Sequence, residues 1–150
     1  MNPQKRSARA SPRWSASLAA LLFGLFATSP AQAESLEGAP WRVTQAERGG
    51  AANPAELNAV LSFAEGKLTL VSPEGQTVEF EYSLDTREDP AHIDLARGEA
   101  DKRFTLQGIW KITDGRFSLC LGAPFSDRPT EFATTAGQAT SLTIHERTTP

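Results

Sequence analysis

The feature that most constrains the fold is a run of alternating apolar and polar residues, interrupted by a single tight turn. Over residues 103–113, apolar or small side chains occupy every second position from Phe104 to Ile112, and polar side chains occupy most positions between them. The dipeptide Asp114-Gly115, which favours a two-residue β-hairpin turn, comes next, and the alternation resumes at Phe117. Because successive side chains of a strand point to opposite faces of a sheet, this pattern predicts two paired antiparallel strands with one buried face.

Similar short segments, bounded by turn residues, follow one another after residue 34, and the sequence shows no long helical stripe. Together they predict about eight strands: 41–46, 59–63, 67–71, 76–84, 92–96, 103–113, 117–121 and 141–147. Sequential strands joined by short turns close most simply into an all-β, antiparallel up-and-down barrel, which also removes exposed sheet edges. Two longer connections, 48–58 and 122–137, are expected at the barrel mouths or across the surface, and Asn53-Pro54 in the first favours one helical turn.

The first 33 residues have the pattern of a secretory signal peptide. Basic residues without any acid precede the apolar run 18–27, and the small-residue sequence Ala31-Gln32-Ala33 follows it. The apolar run is about half the roughly 20 residues that a membrane-spanning helix needs, and no cysteine follows it for lipid attachment. We therefore expect cleavage after Ala33, a single domain over residues 34–150, and a periplasmic or extracellular location without a stable membrane anchor.

The charge of the mature domain argues against two classes of partner. Removing residues 1–33 leaves eleven basic against eighteen acidic residues, a formal charge of −7. A domain with this balance and no basic stripe is poorly suited to nucleic acid or to an anionic membrane surface. Cys120 is the only cysteine, so no intramolecular disulfide can form.

No familiar catalytic or metal-binding pattern occurs in the sequence. There is no Gly-x-Ser-x-Gly motif, and Cys120 lies in a strand without an obvious histidine beside it. His92 and Asp94 share one strand face but offer two ligands where zinc takes three or four, so we interpret them as surface residues. His145 alternates with two apolar residues and is expected to face solvent. We predict no enzymatic activity, no cofactor and no metal; an enzyme would need titratable groups brought together in one concavity by folding.

Several short segments, taken in order, resemble a known family. They are Leu36-x-Gly38 with Trp41, Tyr82-Ser-Leu-Asp85, Pro90-Ala-His-Ile-Asp94, Gly108-Ile-Trp-Lys111, Leu119-Cys120 and Arg128-Pro-Thr-Glu-Phe132. Their order and spacing resemble the uncharacterised lipocalin-like domains of planctomycete-type bacterial exported proteins. The resemblance spans most of the mature chain and implies an eight-stranded lipocalin-like barrel, with no established reaction or ligand. The family opening runs Leu-x-Gly-x-Trp, whereas this chain has one residue more before Trp41, which leaves the register of the first strand open.

The interior of an eight-stranded barrel is either filled by side chains or just wide enough for one small ligand. The candidate ligand-binding residues, in the interior or at the mouth, are Trp41, Tyr82, Phe104, Trp110 and Arg128. The aromatic residues combine apolar surface with polar tips, and an arginine at the mouth could grip a carboxylate or phosphate. The structural alternative for Arg128 is a stem packed over Trp41, with the guanidinium bound to backbone carbonyls or to Asp85.

Two functions remain open at this point. The protein is either an exported barrel that binds a small apolar or amphipathic molecule, or a filled barrel that binds an envelope protein through the connections 48–58 and 122–137. An enclosed void of about 300 Å³ or more favours the first function. A tightly filled interior favours the second.

Overall fold

The computed structural model describes residues 35–149, and the predicted signal peptide lies outside these residues. The strands are β1 (Trp41–Arg48), β2 (Ala51–Ala52), β3 (Val60–Ala64), β4 (Lys67–Val71), β5 (Thr77–Asp85), β6 (Ala91–Arg97), β7 (Phe104–Thr113), β8 (Arg116–Leu121) and β9 (Ser141–Arg147). Two single-turn 3-10 helices, Pro54–Glu56 and Ala100–Lys102, are the helical elements of the described chain. The predicted all-β class is confirmed.

The strands close into an antiparallel barrel. Each strand from β3 to β8 pairs with the next along the chain, β1 pairs with β3, and β9 returns to pair with β1. The two-residue strand β2 is a short hairpin extension of β1 and takes no part in closing the barrel. The barrel therefore has eight strands in up-and-down order, as the sequence predicts, and β1 contains one irregularity between Val43 and Gln45.

The turn between β7 and β8 has the geometry that its sequence favours. Asp114 and Gly115 both have positive φ angles, 53° and 73°. Positive φ at both central positions matches the right-handed twist of the flanking strands, and aspartate and glycine tolerate it better than most residues. The register that follows places Ile112 opposite Phe117, so that both side chains enter the interior.

One end of the barrel is filled by aromatic side chains, and we call it the closed end. The Phe117 ring lies at its centre, with its centroid 5.4 Å from Trp41, 5.7 Å from Phe63 and 6.4 Å from Trp110. Tyr82 meets Phe63 edge to face at 5.2 Å. These separations are in the range where tilted and edge-on aromatic pairs attract one another, so this half of the interior is a packed core.

The segment that precedes β1 crosses the closed end and is fastened there by Arg147. Leu36 is buried, and its carbonyl oxygen accepts a hydrogen bond of 2.9 Å from Nε1 of Trp41. Arg147 donates to the backbone carbonyls of Ser35, Glu37 and Ala39. Its guanidinium carbon lies 4.0 Å from the centroid of Trp41, the geometry of a cation–π contact. One arginine thus connects the first and last segments of the domain.

The long connection between β8 and β9 runs over the outside of the barrel wall. Cys120 and Ile109 point outward in their strands and are nevertheless buried. Cys120 Sγ lies 3.8 Å from the carbonyl oxygen of Ala133, and Lys111 Nζ lies 4.6 Å from the ring centroid of Phe132. These contacts show that the connection covers an outer apolar patch, while its first and last residues reach the rim of the barrel.

Candidate functional site: the barrel cavity

The end of the interior opposite the closed end is not completely filled. It contains a cavity of about 500 Å³ that opens at the rim. The apolar side chains that line its walls come from seven of the eight barrel strands: Val43, Leu61, Leu68, Leu70, Phe80, Leu95, Phe104, Leu106, Leu119 and Leu121. The alternation of each strand explains this lining, because the same face that supplies aromatic residues to the closed end supplies mainly leucines nearer the rim. Interior volume left by leucines in place of aromatic rings remains open to a ligand.

The open end, which we call the mouth, is formed by connections between strands. The 3-10 helix Pro54–Glu56, the turn at Pro73 and the chain from Gly122 to Pro124 surround it. Arg48 and Glu56 form an ion pair of 3.0 Å at the mouth, and Asn53 also donates to the same carboxylate oxygen at 2.8 Å. The predicted helical turn at Asn53-Pro54 is confirmed, and it forms part of the cavity entrance.

The wall formed by β9 is polar. Ser141, Thr143 and His145 occupy alternate positions of this strand and therefore share the inward face. Ser141 lies at the level of Leu121 near the mouth, Thr143 opposite Leu119, and His145 opposite Phe117 at the inner end. We call these three residues the polar stripe. The polar stripe is the part of the cavity wall that offers a ligand hydrogen-bonding groups at several depths.

The expectation that His145 faces solvent is wrong. Its side chain is 0% exposed, stacks on Phe117 with ring centroids 4.8 Å apart, and lines the inner end of the cavity. The apolar neighbours Leu142 and Ile144 point outward instead, where they are half-buried. Alternation in β9 alone gives two faces without saying which one enters the barrel. The cross-strand position opposite Phe117 is the signal that decides it.

His145 is held in one orientation by a backbone contact. Nδ1 lies 3.0 Å from the carbonyl oxygen of Phe117. Burial disfavours the charged ring and lowers the pKa of His145 to about 4, although this backbone contact acts in the opposite direction. At neutral pH the ring is therefore uncharged. Nε2 is buried and has no hydrogen-bond partner among residues 35–149.

The structure distributes the predicted ligand-binding residues among three places. Phe104 lines the cavity, while Trp41, Tyr82 and Trp110 lie in or against the closed end. Their polar tips are already occupied by protein groups: Trp110 Nε1 donates to the His92 carbonyl at 3.1 Å, and Tyr82 donates to a Glu37 carboxylate oxygen at 2.8 Å. Burial first, then the Glu37 contact, raises the pKa of Tyr82 to about 12.

Arg128 lies on the outer wall of the barrel. It donates to the carbonyl oxygens of Ile93 and Gly108 at 3.0 and 2.6 Å and to the Asp94 carboxylate at 2.6 Å. The prediction that the Arg128 guanidinium binds backbone carbonyls is confirmed. The prediction that the stem of Arg128 packs over Trp41 is wrong, because Arg147 lies there. Asp85 is paired with Arg87. Arg128 thus attaches the connection between β8 and β9 to the sheet.

Replacement of Arg128 by methionine should release this connection. We expect the free energy of unfolding to fall by about 1–3 kcal/mol, because a largely buried, charge-assisted set of hydrogen bonds is lost while most of the apolar stem is kept. Hydrogen exchange should quicken at residues 122–140 in particular. The control is Arg87→Met, which removes an exposed ion pair and should change stability by less than about 1 kcal/mol. Equal effects of the two substitutions would contradict the assigned role of Arg128.

Metal binding and membrane spanning can also be checked in the part of the chain that the structure describes. His92 and Asp94 belong to no group of three or more potential metal ligands among residues 35–149. Within the same residues, the helices are all too short or too polar to cross a bilayer. Comparison with protein-family models, curated proteins and solved structures finds no significant match to the chain. The cavity is therefore the feature from which a function is argued.

Proposed function

We propose that this protein is an exported lipocalin-like barrel that binds one small, neutral, apolar or amphipathic molecule in its cavity. The observation that carries the proposal is the apolar cavity of about 500 Å³, a volume inside the range of about 300–1,000 Å³ typical of small-molecule sites. Its volume is above about 300 Å³, although it opens at the rim and is not an enclosed void. Burial of the ligand against leucine and phenylalanine side chains supplies the binding free energy.

The charges around the cavity favour a neutral ligand. The charged side chains that line it, Arg48 and Glu56, neutralise each other at the mouth. Farther inside, the lining of described residues contains only apolar side chains and the uncharged polar stripe. A charge carried to the inner end would lose its hydration without gaining a counter-ion, which is costly in an apolar site.

A cavity-filling substitution tests the proposal. Leu106 lines the cavity, whereas its neighbour Thr105 is exposed on the opposite face of β7. We expect Leu106→Trp to weaken binding of the neutral dye N-phenyl-1-naphthylamine at least tenfold, because the indole occupies ligand space, while Thr105→Trp leaves binding unchanged. Fluorescence titration measures both, and circular dichroism shows that each variant is folded, since overpacking costs about 1–3 kcal/mol.

Native mass spectrometry of residues 34–150 purified from the natural host is the complementary measurement. A mass excess that disappears on denaturation would identify a retained ligand. No dye binding by the wild type, or equal binding by Leu106→Trp and Thr105→Trp, would count against a ligand site in the cavity.

A second proposal, recognition of an envelope protein, is favoured by one observation outside the cavity. Phe125 is 91% exposed in the connection between β8 and β9, next to the residues that form the mouth. Exposed aromatic side chains are enriched at the centres of protein interfaces. Loss of a partner's binding in Phe125→Ala, with dye binding retained, would support this second function.

A further inference from the structure

His145 presents a buried polar atom that the protein itself does not satisfy. The ring is fully buried, and Nε2 has no partner among the described residues. A buried polar atom without a hydrogen bond costs about 1–3 kcal/mol, so such atoms in folded proteins call for an explanation. The apolar residues that surround the inner end of the cavity offer none.

The contact with Phe117 decides what kind of partner Nε2 can take. A carbonyl oxygen only accepts hydrogen bonds, so the Nδ1 atom that lies 3.0 Å from it must carry the proton. In an uncharged imidazole with a proton on Nδ1, Nε2 is an acceptor. The missing partner is therefore a donor group.

The direction of the side chain makes the cavity the place for this donor. His145 shares the inward face of β9 with Ser141 and Thr143, and its Nδ1 edge is turned to the backbone of β8. His145 belongs to the lining of the cavity, and Nε2, enclosed by protein atoms, lies on the ring edge away from the Phe117 carbonyl. From this geometry we infer that the ligand carries a hydroxyl or an N–H group at its inner end and donates a hydrogen bond to Nε2 of His145.

This inference rests on the proposed function and adds the chemical class of the ligand: a neutral molecule with an apolar body and a terminal donor, such as a long-chain alcohol. Since Nε2 is enclosed, the donor reaches it by displacing apolar side-chain atoms at the inner end, for which the adjoining cavity provides space. Ser141 and Thr143, the other two residues of the polar stripe, lie nearer the mouth. A ligand with further hydroxyl groups along one edge would meet them in turn, at intervals of about 6.6 Å along the strand.

The test compares two isomers, 1-decanol and 1-methoxynonane, as competitors of N-phenyl-1-naphthylamine. They share the same atoms and similar size, but only the alcohol can donate. Each is measured on the wild type and on His145→Leu, which removes the acceptor at similar volume. The preference of each protein is the ratio of the inhibition constants of the two compounds. Dividing the wild-type ratio by the His145→Leu ratio cancels the difference in hydration between the compounds. We expect the preference for decanol to fall about tenfold in His145→Leu, the effect of one buried hydrogen bond.

A second substitution separates loss of the acceptor from a general change of the wall. His145→Gln places a side-chain oxygen that can accept at the same position, and it should recover part of the preference for decanol. Leu121→Ala, in the apolar wall nearer the mouth, should weaken both compounds and leave their ratio unchanged.

The outcomes distinguish this inference from the proposed function. If both isomers displace the dye with a ratio that is the same in wild type and His145→Leu, the cavity binds ligands and the donor inference is overturned. If His145→Leu does not fold, His145→Phe takes its place, because it keeps a planar ring without an acceptor; a ratio that is the same in wild type and His145→Phe overturns the inference. If neither isomer nor the dye binds the wild type, the proposed function itself fails.

Discussion

Replacing Trp41 by alanine should lower the free energy of unfolding by about 3–5 kcal/mol, the range found for large aromatic side chains removed from a packed core. Trp41 is 1% exposed, packs against Phe117 at 5.4 Å and supports Arg147 at 4.0 Å. Its indole N–H also holds the Leu36 carbonyl. The substitution would therefore leave a cavity at the closed end and release residues 35–40. Urea denaturation followed by circular dichroism measures the change.

The control for this prediction is Phe125→Ala. It also removes an aromatic side chain, but one that is 91% exposed, and it should change stability by less than about 0.5 kcal/mol. Hydrogen exchange should show faster exchange in the Trp41 variant at residues 35–40 and in β9. A loss for Trp41→Ala no larger than that for Phe125→Ala would mean that the closed end is not the core of the domain.

Acidification should destabilise the protein through His145 by about 3 kcal/mol between pH 7.5 and pH 4. The pKa of this ring is about 6.5 in the unfolded chain and about 4 in the folded protein, because burial disfavours the charged form. The unfolded chain therefore binds more protons over this interval. The stabilisation is fully present above pH 6.5 and is lost progressively as the pH falls towards 4.

The measurement is the free energy of unfolding as a function of pH for wild type and for His145→Gln, which has no titrating group at this position. Paired carboxylates also weaken in acid: the Arg87 contact lowers the pKa of Asp85, and the Arg103 contact lowers that of Glu81. Those groups are common to both proteins, so the difference between the two curves isolates His145. Parallel curves between pH 7.5 and 4 would show that the ring is not buried in its neutral form.

Much of the fold can be predicted from local sequence. The hairpin of β7 and β8 combines alternation with an Asp-Gly turn, and the structure has both. The remaining strands and their up-and-down order follow from short segments and short connections. The strand β2 was not predicted, because two residues that pair at the end of β1 carry no alternation pattern.

The candidate site could be predicted only in part. The aromatic alternation correctly indicates inward-facing residues, but Trp41, Tyr82 and Trp110 lie towards the closed end and Phe104 at the cavity. The period of two specifies the face of each strand and says nothing about which residues of distant strands lie at one level of the barrel. His145 illustrates a stronger limit, since the apolar residues of β9 point outward and mislead the assignment.

The sequence by itself determined the strands, their turns and their order along the barrel, because these depend on alternation, turn chemistry and connection length within a few residues. The tertiary structure alone decided that aromatic rings fill one end of the interior while a cavity opens at the other, and that the buried His145 belongs to the lining of that cavity. It also decided that Arg147 covers Trp41 while Arg128 fastens an outer connection. These facts depend on which residues meet across strands far apart in the chain. Register and strand tilt set those meetings, and both are properties of the closed barrel.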